Sequence, residues 1–178
     1  MRNNRISALI VLSISLFFVG FGLPKNLEKK VTKEIEKTFE ITDFSMKPIS
    51  ISEGLSKTLP TKITPNNFFK VISGTQVLGY AFVDQAPSKT AKFDYLVIFD
   101  ADVKVKHSKV LIYREEYGGE IGSKRWLSQF IGLTGGNRVD HETNIDGIAG
   151  ATISVRSMTS AMDDLLQTIA ILQQQNVL

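Results

Sequence analysis

The segment Asp146-Gly147-Ile148-Ala149-Gly150-Ala151-Thr152-Ile153-Ser154 gathers residue types suited to holding an anionic group. Small side chains from Ala149 to Ala151 let a bulky ligand come close to the backbone. Thr152 carries the only hydroxyl of that small-residue run, and a long apolar-striped stretch follows it. A helix N-terminus presents free N–H groups and a positive dipole end, so a phosphate attached to Thr152 would sit in a favourable field. By itself the segment equally suits a tight turn whose Thr or Ser caps the next helix.

Other chemistries find little support. The chain has no cysteine, which removes disulfides, thiolate metal sites, thiol nucleophiles and iron–sulfur ligation. His141-Glu142 begins like a zinc-protease helix, but Ile145 stands where the second histidine must be. The other histidine, His107, lies in a strand pattern, so no metal site is expected. Asp100 and Asp102 lack the Gly and Glu of a calcium loop. No Gly-x-Ser-x-Gly elbow, Walker loop or dinucleotide fingerprint occurs. Net charge is +3 with scattered lysines, too slight for a nucleic-acid partner.

The elements that must position this segment can be read from hydrophobic period. Ile6 to Leu23 runs 18 residues without a charge. As a helix it would span ~27 Å, close to the hydrocarbon thickness of a bilayer. It is read as an N-terminal membrane anchor over 1–23, or as a signal sequence. The short N-terminal tail places the domain on the extracytoplasmic side. Residues 24–64 are read as a stalk helix and linker. Leu27, Val31, Ile35 and Phe39 recur along Pro24 to Ile41 at helical spacing. Ser52 to Asn67 reads as a loop.

The domain proper is assigned to 65–178. Phe68–Ile72 and Val77–Val83 form a hairpin, Gln85–Lys92 is a polar loop, and Phe93–Phe99 is a strongly apolar strand. Asp100 to Asp102 turns the chain into a strand over Val103–Tyr113. Ser123 caps a short helix over Lys124–Ile131, stopped by Gly132. Ser154 is the expected N-cap of the last helix. Val155, Met158, Met162, Leu165, Leu166, Ile169 and Leu172 give that helix one apolar stripe. Strands first and a long helix last predict α+β, an antiparallel sheet packed against the C-terminal helix, with the N-terminal transmembrane helix ahead of it.

Asp146-Gly147-Ile148-Ala149-Gly150-Ala151-Thr152 resembles the flavinylation motif of the FMN-binding domain family. That family includes the C subunit of sodium-pumping NADH:quinone reductase and the G subunit of Rnf complexes. Its pattern is Asp, two variable positions, Ser or Thr, Gly or Ser, then Ala and Thr. Ala149 stands where a hydroxyl residue is usual. Tyr113-Arg114-Glu115-Glu116-Tyr117-Gly118 is similar to the family's Glu-Thr-Pro-Gly segment, with Glu116 or Glu115 as its acid and Tyr117 in place of Pro. Gly74–Ala81 and Trp126–Phe130 fall where the family has a glycine-containing hairpin and a short helix. The resemblance covers roughly residues 65 to 175.

The resemblance implies FMN held covalently by a phosphoester on Thr152. Asp146, Gly147, Gly150, Ala151, Ser154, Glu115, Glu116, Tyr117 and Gly118 are its further cofactor-binding candidates. It implies an ApbE-like flavin transferase as maturation partner, and electron donor and acceptor proteins as working partners. The expected function is a membrane-anchored redox carrier or subunit rather than a stand-alone enzyme. The departure at Ala149 leaves a second reading, a noncovalent FMN-binding sensor or regulatory module.

Overall fold

The computed structural model describes residues 22–178. The segment Ile6–Leu23, read above as a membrane anchor, lies outside these residues except for Gly22 and Leu23. Among the described residues no helix is long and apolar enough to cross a membrane.

The chain folds as a five-stranded antiparallel meander with a helix on each face, confirming the α+β class. Strands β1 (Ser45–Pro48), β2 (Phe68–Ser73), β3 (Gln76–Pro87), β4 (Lys92–Asp100) and β5 (Val105–Ile112) lie side by side in sequence order. Helix α1 (Lys25–Phe39) precedes them, α2 (Glu53–Ser56) lies between β1 and β2, α3 (Lys124–Leu127) follows β5, and α4 (Thr152–Gln174) closes the chain.

The pleat of β4 explains why its sequence is continuously apolar. Phe93, Tyr95, Val97 and Phe99 point to one face, where Met158, Met162, Leu165 and Ile169 of α4 meet them. Leu96 and Ile98 point to the other face, where Leu27, Val31 and Ile35 of α1 meet them. A central strand covered on both sides has no solvent face and so shows no polar alternation. The stretch read as a stalk helix is therefore packed on the sheet, with Val31 and Ile35 fully buried. Lys30 Nζ also donates to the Leu111 carbonyl of β5 at 2.9 Å. The helix stops at Glu40, whose left-handed backbone (φ 56°) turns its N–H onto the Glu36 carbonyl.

Several element boundaries differ from the sequence reading. The polar stretch 85–92 is mostly strand, since β3 stays paired with β4 down to Pro87 opposite Lys92. Only residues 88–91 turn. The last strand begins at Val105, because Val103 adopts a left-handed backbone (φ 62°) in the turn and buries its side chain beneath it. The loop over 52–67 includes the short helix α2, capped by the Ser52 hydroxyl. Ser123 caps α3 as expected, but the helix tightens into a 3-10 turn over Ser128–Phe130 before Gly132.

If α1 belongs to the core, Ile35→Ala should destabilise the protein by about 2–5 kcal/mol, as other buried large-to-small changes do. Urea unfolding measures this. A loss below about 1 kcal/mol would show α1 to be loosely attached.

Candidate functional site

Two backbone segments converge at one end of the sheet. One is the chain leaving β5, from Tyr113 to Gly118. The other is the entry into α4 and its first turn, from Gly150 to Ser154. With Lys89 and Thr90 from the β3–β4 turn they line an open cleft of about 810 Å³. A volume of that order accommodates a cofactor-sized molecule.

The start of α4 lies three residues earlier than expected, with the cap at Ala151 rather than Ser154. Ala151 is the N-cap, Thr152 is the first helical residue, and no side chain caps the helix. Ser154 is thus not the cap. Its backbone is inside the first turn and its side chain is buried, because Tyr113 reaches it: the two hydroxyls lie 3.0 Å apart. The N–H groups of Thr152, Ile153 and Ser154 have no hydrogen-bond acceptor among the described residues. They are free for an anion carried on or beside Thr152.

The two walls touch through small residues. Gly118 has a left-handed backbone (φ 80°), and a β-carbon there would stand 2.8 Å from that of Ala151 and 3.0 Å from the Tyr113 hydroxyl. Only glycine against alanine permits this approach. Tyr113 Oη also donates to the Tyr117 carbonyl at 3.2 Å, so one phenol ties the turn to the helix. Ser157 binds the Pro87 carbonyl, joining the first turns of α4 to the end of β3. Tyr117 and Ile153 remain 80% and 50% exposed at the cleft, leaving apolar surface for a planar ring.

Glu115 is committed to the third wall. One carboxylate oxygen accepts from Ser88 Oγ (2.6 Å), Thr90 N (2.7 Å) and Ala91 N (3.1 Å), and the other from Thr90 Oγ1 (2.8 Å). The Ser88 hydroxyl first, then the Thr90 donors, pull its carboxyl from the usual 4.5 down to about 2. Glu116 is exposed at the same cleft. Arg114 binds the Lys92 carbonyl at 2.6 Å and the buried Asp94 carboxylate at 2.5 Å.

The expected site residues therefore divide. Thr152, Gly150, Ala151, Ser154, Glu115, Glu116 and Tyr117 all line the cleft, with Gly118 packed behind it. Asp146 and Gly147 do not. They line a neighbouring recess of about 220 Å³ with Glu120, Ser123, Arg125 and Trp126, and Gly147 also borders a further cleft that Thr152 shares. Trp126 Nε1 donates to the Asp146 carbonyl at 2.7 Å, and Asp146 N donates to Gln129 Oε1 at 2.8 Å. The Asp146 side chain itself is exposed. Lys89, Thr90, Tyr113, Arg114 and Ile153 join the cleft without having been singled out as ligands. Among the described residues no group of carboxylates and histidines could hold a metal ion.

This arrangement fits an FMN: an open cleft with exposed aromatic and aliphatic surface, free N–H groups at one end, and a hydroxyl on the helix beside them. Residues 90–167 match the family model of the FMN-binding domain. That span runs from the β3–β4 turn through most of α4 and includes nearly every wall of the cleft. No curated protein matches the chain.

The Glu115 clamp makes stability depend on pH with a definite sign. Its folded carboxyl lies below its unfolded value, so the contribution is present above about pH 4.5 and is lost as pH falls toward about 2. Thermal melts at stepped pH should show a decline over that window that is shallower in Glu115→Gln. An identical decline in both proteins would show that Glu115 does not hold the turn.

Proposed function

We propose, taking the FMN-binding domain match over residues 90–167 as premise, that this protein is a flavoprotein bearing FMN on Thr152. We read it as a carrier of electrons between partner proteins. The observation that carries the covalent reading is the position of Thr152: exposed, first in α4, beside uncapped N–H groups and at the edge of the cleft.

In the attachment step, Thr152 Oγ1 becomes bonded to the FMN-side phosphorus of FAD while the diphosphate P–O bond breaks. AMP leaves with the bridging oxygen. The Thr152 proton passes to a base of an ApbE-like flavin transferase, since no base on this chain is hydrogen-bonded to Thr152 among the described residues.

Bound there, FMN supplies one- and two-electron redox chemistry. The chain's own residues supply position. Tyr113 and the Gly118–Ala151 contact hold the cleft walls together, and Glu115 fixes the 88–91 turn. Tyr117 and Ile153 offer exposed apolar faces on which a ring could rest with an edge toward solvent. An accessible edge suits exchange with a docking partner. The exposed cleft favours this carrier reading over a sensor with an enclosed ring.

Intact mass after co-expression with a flavin transferase tests the linkage. Wild-type protein should carry an FMN adduct that survives denaturation, and Thr152→Ala should carry none. An adduct on the Ala variant would sink the assignment. Flavin released from wild-type protein by denaturant would favour the noncovalent reading.

We further propose that Ile6–Leu23 anchors the domain on the extracytoplasmic side of a membrane. The support is the uncharged run of 18 residues. Protease added to intact spheroplasts should digest the region from Pro24 onward. Protection of that region until the membrane is broken would overturn the topology.

A further inference from the structure

Thr152 borders the larger cleft on one side and a second cleft on the other. Behind it, away from Tyr117, lies that second, smaller cleft of about 360 Å³, whose wall includes His141, Glu142, Ala149 and Arg156. Its chemistry differs from that of the larger cleft. Arg156 stands one helical turn after Thr152 and so projects on the same side of α4. Its guanidinium has neither ion-pair nor hydrogen-bond partner among the described residues. The neighbouring Arg138, by contrast, is paired with both oxygens of Asp163. His141 Nε2 is buried and makes no hydrogen bond. The Glu142 carboxylate is 3.6 Å from it and Asp140 is 3.8 Å from the other ring nitrogen, within ion-pair range of a protonated ring but beyond hydrogen-bonding distance. A buried ring nitrogen without a hydrogen-bond partner is costly, and a ligand that bonds it would relieve that cost.

We infer that this small cleft is the phosphoryl subsite, seating the anionic group that joins the flavin to Thr152, with Arg156 and His141 as its side-chain ligands. The inference rests on the flavin reading above and gives the cofactor a direction. The ring occupies the cleft of Tyr113 and Tyr117, and the phosphate turns the other way, over Ala149 toward Arg156. The planar guanidinium offers two parallel donors to phosphate oxygens. His141 Nε2 supplies a further N–H in the tautomer that carries its proton there. Ala149 leaves this wall open, where a larger side chain would fill it.

The rival cation is Lys89, which lines the larger cleft and has no partner there among the described residues. The full-length protein, produced without a flavin transferase, is titrated with FMN and with riboflavin and followed by flavin fluorescence. The two ligands differ only in the phosphate, so their affinity ratio reports its contacts. Wild-type protein should bind FMN about tenfold or more tightly, the worth of a charge-assisted hydrogen bond. Arg156→Gln should bring the ratio near one, His141→Gln should lower it, and Lys89→Gln should leave it unchanged. On the flavinylated protein, Arg156→Gln should also displace the phosphorus NMR resonance, which a remote structural change would not. Equal ratios in wild-type protein and Arg156→Gln, or loss of the ratio in Lys89→Gln alone, would overturn the subsite. A missing FMN adduct with the ratio intact would defeat the covalent reading and leave the subsite standing. Absence of both adduct and binding would defeat both.

Discussion

Burial of β4 on both faces is the constraint from which the rest of the molecule follows. A strand with Phe93, Tyr95, Val97 and Phe99 on one side and Leu96 and Ile98 on the other cannot face water on either. Each side needs a helix of its own, and the chain supplies one before the sheet and one after it. The apolar stripe of α4 fixes how that helix lies on the sheet. Its first residue is thereby delivered to the end of the sheet where β5 runs out, which is where the cleft forms.

The cleft is then assembled from three chain segments that meet through short-range contacts rather than through a large apolar interface. Gly118 and Ala151 permit close approach, and Tyr113 fastens one wall to the buried Ser154 hydroxyl. Glu115 gathers donors from Ser88, Thr90 and Ala91 onto a single carboxylate. These bonds are made within the protein, so the walls are ordered before any ligand arrives. The free valences are left at Thr152 and the N–H groups beside it, and at Arg156 and His141.

Much of this was legible in the residue pattern. The stripe from Val155 to Leu172 announced α4, and the run from Phe93 to Phe99 announced a covered strand. The motif ending at Thr152 pointed to FMN, which agrees with the family match over 90–167. What failed was local or long-range. Ser154 looked like a helix cap because its type favours caps, but Tyr113 draws it into the first turn. Gln85 to Lys92 looked like a loop because its residues are polar, yet Ala86 is buried and strand pairing runs past it. The roles of Lys89 and Thr90 could not be seen, since they depend on β4 lying beside β5 and on Glu115 reaching back 25 positions to Thr90. His141 was discounted as a metal ligand for want of a second histidine, and its orphaned nitrogen emerges only from the packing.

The Lys30 contact with the Leu111 carbonyl has a mechanical meaning. Leu111 sits two residues before Tyr113, so α1 is riveted to the very strand that ends in the cleft wall. Between Lys25 and the cleft there is no compliant joint, only packed helix and paired strand. The domain therefore behaves as a stiff bracket rather than a swinging arm. Any force on α1 is thus passed along β5 to the cleft wall instead of being absorbed on the way.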